Sequence, residues 1–92
     1  MEPVTKQEKI DNLCDLIASV GTAAECKALL GDLCTVKELE NMAERLHAAK
    51  LLMAGNTYNQ VMAQAEISSA TLSRVSRCVQ YGKGYSSLLK KE

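Results

Sequence analysis

The chain has no Phe and no Trp, three Tyr, one Pro and one His in 92 residues, and its formal net charge is zero. Without large aromatics, any core must be aliphatic, assembled from Leu, Ile, Val, Ala, Met and Cys. One His and scattered carboxylates place no nucleophile beside a base, so no catalytic constellation can be built and an enzyme is not expected. Gly82-Lys83-Gly84 is too short for a phosphate-binding loop and reads as a turn. No apolar run approaches the roughly 18 residues of a membrane span, and MEPVTKQEK lacks a hydrophobic signal core, so a cytoplasmic protein without a membrane partner is expected. Cys14, Cys26, Cys34 and Cys78 include no Cys-x-x-Cys pair, and His47 is the only imidazole. No metal site is expected, and the thiols are expected to be reduced and mostly buried.

What is present is an apolar fraction of 47% with 24% charged residues, the balance of a globular chain. The length predicts a single helical domain over 1–92, whose core stays modest unless the chain associates. Zero net charge conceals an asymmetry. Residues 1–44 hold four basic and nine acidic side chains, net −5, while residues 45–92 hold seven basic and two acidic, net +5. No carboxylate interrupts 67–91. Such polarity suits an anion-facing surface carried on an acidic scaffold.

Apolar spacing and capping residues predict helices throughout. Thr5 caps a first helix to about Val20, with Ile10, Leu13, Cys14, Ile17 and Val20 on one face and Gly21 as its stop. Thr22 with Glu25 has capping-box form for a second helix to about Leu30, stopped near Gly31. Thr35 with Glu38 repeats the device for a long helix ending at Gly55, about 27 Å at 1.5 Å per residue. Its expected stripe is Val36, Leu39, Met42, Ala43, Leu46, Lys50 and Met53. After a Tyr81–Tyr85 turn, a short last helix carries Leu88 and Leu89.

The stretch 57–80 reads as a helix-turn-helix. Val61 and Ala65 line one helix, Ile67 falls in the turn, and Leu72, Val75 and Val79 form a stripe on the next. Thr57 with Gln60 has capping-box form, and Ser68 or Ser69 can cap the second helix. Ser69, Ala70, Thr71, Ser73, Arg74, Ser76 and Arg77 are left facing away from the core or flanking it. Short hydroxyls and guanidiniums at that spacing suit base edges and phosphates. Glu66 takes a turn position that often calls for a left-handed backbone, at a cost on the order of 1 kcal/mol for a non-glycine. The alternative is a helical dimeric interaction or ligand-sensing module without direct DNA binding.

Six helices with short loops cannot all bury their faces in one chain of this length. The wide arc of Ile10, Leu13, Leu16, Ile17 and Val20 therefore predicts an intertwined homodimer. Such a dimer presents two recognition helices about 34 Å apart and reads a palindromic operator in double-stranded DNA.

From Leu33 to about Leu89 the chain resembles the Trp repressor family, and more closely its YerC/YecD-type members. The shared features are a Leu-x-Thr start, a long helix with a central Arg, a Gly stop, and a second helix bearing Ala70-Thr71-Leu72-Ser73-Arg74. The resemblance implies an all-α, six-helix, interlocked dimer that regulates transcription, most simply as a repressor. It implies DNA contacts at Thr57, Asn59, Gln60, Ser69, Ala70, Thr71 and Ser73, to which the reading of the residues themselves adds Ser68, Arg74 and, as an additional charge suited to a phosphate, Arg77. It also implies a ligand pocket framed by Thr35, Arg45 and Arg74. Where the family pattern has a glycine and a serine around that pocket, this chain has Val75 and Cys78. An added isopropyl group where an indole would stack argues against tryptophan. The expectation is therefore DNA binding without a cofactor, or with another small corepressor.

Overall fold

The computed structural model describes residues 2–89. Lys90, Lys91 and Glu92, counted above in the charge of the second half, lie outside the described residues. The described residues form six helices and no strand: α1 (Lys6–Ala18), α2 (Ala23–Leu33), α3 (Val36–Met53), α4 (Tyr58–Gln64), α5 (Ser69–Tyr81) and α6 (Gly84–Leu88). They fall into two compact units, one reaching to Thr35 and one beginning at Val36.

In the first unit local chemistry sets the helix ends. Thr5 Oγ1 accepts from the Glu8 N–H at 3.1 Å while Glu8 Oε1 accepts from the Thr5 N–H at 3.4 Å, a complete capping box. α1 stops before Val20 because the Ser19 hydroxyl donates to the Leu16 carbonyl at 2.6 Å, competing with continuation of the helix. Thr22 caps α2 through the Glu25 N–H, but Glu25 Oε1 accepts from the Gly21 N–H at 3.0 Å, one residue earlier than a capping box requires. Gly31 is not a stop. It lies inside α2, which runs on to Leu33 and is capped at Cys34. Neither helix buries any residue, and Ile10, Leu13, Leu16 and Ile17 all remain exposed on α1. Cys14 is exposed and the other three thiols only half-buried, so the expected mostly buried thiols are not found within one chain, although all four are free.

The second unit holds the core: Ala48 and Ala49 of α3, Val61 of α4, and Leu72 and Val75 of α5. Leu51, Leu52, Ala65, Ile67, Val79, Tyr85 and Leu89 pack around it. The apolar stripe of α5 thus forms as its spacing implied. The stripe expected on α3 does not. Val36 is 78% exposed, and Met42 and Leu46 are also exposed, whereas the face bearing Arg45, Ala48, Ala49 and Leu52 packs on α4 and α5. Periodicity found an apolar face of α3, but not the one these neighbours cover. At the far end, Tyr85 and Leu89 pack on the core while Leu88 is 84% exposed. Tyr85, expected in a turn, belongs to α6.

Two glycines answer to geometry. Gly55 has φ +98°, and the Gly55 N–H donates to the Leu52 carbonyl while the Asn56 N–H donates to the Leu51 carbonyl, a Schellman end to α3. The Asn56 side chain donates to the same Leu51 carbonyl at 2.9 Å. At Gly82, a Cβ would stand 2.6 Å from the Cys78 carbonyl oxygen, so the bend from α5 into α6 needs a residue without one.

The two classes of glycine predict opposite signs on substitution. Gly31 lies mid-helix with open space around its missing Cβ, so Gly31→Ala raises stability by about 0.5–1 kcal/mol. Gly55 also has open space but a left-handed backbone, so Gly55→Ala lowers stability by about 1–2 kcal/mol. Urea unfolding followed by circular dichroism reads both, and shifts of the same sign would contradict the assignments.

Candidate nucleic-acid interface

The helix-turn-helix is built from α4, the segment 65–68 and α5. Thr57 N–H donates to Gln60 Oε1 at 2.7 Å and Gln60 N–H donates to Thr57 Oγ1 at 3.2 Å, closing the capping box anticipated for α4. Ser68, not Ser69, caps α5. Its Oγ accepts from the Thr71 N–H at 3.2 Å and donates to Thr71 Oγ1 at 2.9 Å. Four residues expected to meet DNA, Thr57, Gln60, Ser68 and Thr71, therefore also hold helix starts. Thr57, Gln60 and Ser68 are exposed and Thr71 is half-buried.

The turn departs from the strained geometry expected at Glu66. No described non-glycine residue has a positive φ, and Ala65 is extended at φ −130°, ψ 144°. The Ala65 N–H closes α4 on the Val61 carbonyl at 2.9 Å, and the Glu66 N–H donates to Glu44 Oε1 on α3 at 2.9 Å. An extended path requires no left-handed residue, so the cost assigned to Glu66 is not incurred.

Once Leu72, Val75 and Val79 turn inward, the outer side of α5 is defined. Ala70, Ser73, Arg74 and Arg77 recur at i, i+3, i+4 and i+7 and are all exposed, as is Ser69 in the first turn. On α4, Asn59 is exposed beside Thr57 and Gln60. Ser76, grouped with the outward-facing or flanking hydroxyls from sequence, is instead 6% exposed and accepts from Gln80 Nε2 at 3.5 Å. Its neighbours on the buried face, Leu72, Val75 and Val79, carry it inward.

Four of the five residues proposed for a ligand pocket meet. Arg45 of α3 and Arg74, Val75 and Cys78 of α5 line one concavity of about 340 Å³, together with Tyr85 of α6. Thr35, the fifth, belongs to the first unit and is exposed. Val75 is a wall of this concavity and also a core residue, 2% exposed. Tyr85 was not foreseen, because only the return of α6 onto α5 brings it there; the bend at Gly82-Lys83-Gly84 was its one sequence signal. Among the described residues no group of three or more His, Cys, Asp or Glu side chains is placed to hold a metal ion, and no helix is long and apolar enough to cross a membrane.

Comparison with known proteins agrees with this architecture. The Trp repressor protein family model matches residues 8–92. The uncharacterized protein YerC of Bacillus subtilis (strain 168) is 40% identical over 75 residues, covering 82% of this chain and 72% of that protein. A crystal structure of a candidate Trp repressor from Staphylococcus aureus superposes with a TM-score of 0.75 at 37% identity, covering 82% of this chain and 75% of that one. With its described residues forming six helices in a Trp-repressor-like arrangement, the chain belongs to the Trp repressor family, whose members are non-enzymatic regulators.

Proposed function

We propose that the protein is a sequence-specific, double-stranded-DNA-binding transcriptional regulator of the cytoplasm, acting as a repressor. The observation that carries this reading is the division of α5. One side, Leu72, Val75 and Ser76, is buried against the core, while Ser69, Ala70, Ser73, Arg74 and Arg77 stay exposed on a helix without a single carboxylate. Ser69, Ala70, Thr71 and Ser73 are assigned to base edges in the major groove, where short hydroxyls and methyl groups discriminate among base pairs. Thr57, Asn59, Gln60 and Ser68 are assigned to the phosphate backbone at the starts of α4 and α5. Arg74 and Arg77 are assigned to phosphates flanking the groove.

The working form is an intertwined homodimer in which residues 1–92 act as one domain. Exposed Ile10, Leu13, Leu16 and Ile17 on α1 and Val36, Met42 and Leu46 on α3 support it, because a chain with so small a core gains most by covering them with a second copy. Two-fold symmetry then matches a palindromic operator. The concavity between Arg45 and Arg74 is assigned to a small anionic corepressor. Its volume lies near the lower end of the roughly 300–1,000 Å³ range of ligand pockets, and Val75 in its wall disfavours tryptophan.

Selection of duplexes from a random library, followed by gel retardation, tests the DNA assignment. Retention that weakens steeply with salt is expected, and no retention on any duplex at low salt would leave an interaction module instead. Arg77→Ala should weaken binding on all sequences and flatten the salt slope by about one unit. Ser73→Ala should relax preference at one base position, with about 1–3 kcal/mol of discrimination lost there. A monomer by sedimentation at micromolar concentration contradicts the dimer, and a micromolar tryptophan constant by calorimetry contradicts the assignment of the pocket.

A further inference from the structure

The segment between α4 and α5 is not closed by its own backbone. Ala65 and Ser68 at its ends are extended, with ψ values of 144° and 157°, and no backbone hydrogen bond joins two residues within 65–68. Its path is held from outside. Glu44 Oε1 on α3 accepts from the Glu66 N–H at 2.9 Å, across 22 residues of chain. Glu44 is half-buried, and it stands one helical turn before Ala48, the alanine on which the core of this unit is seated. Glu44 and Glu66 also share a polar concavity of about 220 Å³ with Arg45, Ser68 and Thr71. The link thus joins the face of α3 that seats α5 to the backbone three residues before α5 begins, through a hydrogen bond strengthened by the charge of its acceptor.

We propose that Glu44 is a specificity-setting positioning residue: it holds the Glu66 N–H from α3 and so sets the angle at which α5 meets the base edges. This rests on the assignment of α5 as a DNA reader. Among the residues assigned to base edges, Ser73 lies four residues beyond Ser69, about 6 Å along the helix, so a tilt of about 10° at the link moves it by about 1 Å, enough to misalign hydrogen bonds to a groove. Phosphate attraction depends far less on that angle. Loss of the link therefore lowers discrimination between sequences more than affinity for duplex as such.

The test pairs two readouts on the full chain: exchange of the Glu66 amide proton by NMR without DNA, and the ratio of affinities for a selected duplex and a random one at fixed salt. Glu44→Ala, and Glu44→Asp, which keeps the charge but shortens the reach, should each speed Glu66 exchange and cut the ratio by about tenfold, with random-duplex affinity unchanged within about twofold. Glu44→Gln, whose side-chain oxygen still accepts, should restore both. If Glu44→Ala fails to fold, the Asp and Gln variants carry the comparison. Wild-type discrimination in Glu44→Asp, or a loss in Glu44→Gln equal to that in Glu44→Asp, overturns the proposal. Failure of the unsubstituted protein to bind any duplex overturns the DNA assignment and this proposal together, and is distinguishable because Glu66 exchange is read without DNA.

Discussion

The second unit depends on the seating of Val61, Leu72 and Val75 against Ala48 and Ala49. All five are at or near full burial, and the two alanines are what let α4 and α5 approach α3 closely. Interaxial distance between packed helices is set by the side chains at the contact, and methyl groups give the short end of the range. A larger residue at Ala48 or Ala49 would push α5 outward, and strain of about 1–3 kcal/mol is usual for such overpacking. Because Leu72 and Val75 are committed to this contact, the rotation of α5 about its axis is committed too. The exposure of Ser73, Arg74 and Arg77 follows from that commitment.

The same contact explains why one residue can belong to two environments. Val75 is buried against the core and is also a wall of the concavity between Arg45 and Arg74. A side chain held by close packing cannot swing aside to admit a flat ring without losing contacts elsewhere. The pocket is therefore shaped by stability as much as by any ligand. Cys78, on α5 with Val75, and Tyr85 complete it, and Tyr85 depends on the bend at Gly82, where backbone passes too close for a Cβ.

Much of the fold was legible in the sequence, for reasons that are local. Capping at Thr5, Thr22, Thr57 and Ser68 involves residues three apart, so the signal and the structure share one short window. The Gly55 stop and the Leu72-Val75-Val79 stripe are of the same kind. The misreadings are equally specific. On α3, periodicity favoured Val36, Leu39, Met42 and Leu46, because alanines contribute little hydrophobicity to a pattern even when they make the tightest contact. Gly31 looked like a stop, yet its backbone is not left-handed as at Gly55, and α2 runs through it. Glu66 looked strained because turn conformation was inferred from position alone. The acceptor that permits an extended path lies on another helix.

The sequence by itself determined that the chain is helical, where most helices begin, and which side of α5 is apolar, since these follow from backbone hydrogen bonding and from spacing within a few residues. It also determined the positions that carry the resemblance to the Trp repressor family. Only the tertiary structure decided which face of α3 packs on α4 and α5, that Ser76 turns inward, that Tyr85 joins Arg45 and Arg74, and that Glu44 accepts from the Glu66 N–H before α5. Those outcomes depend on groups far apart in sequence competing for the same few ångströms, and no local window contains both partners.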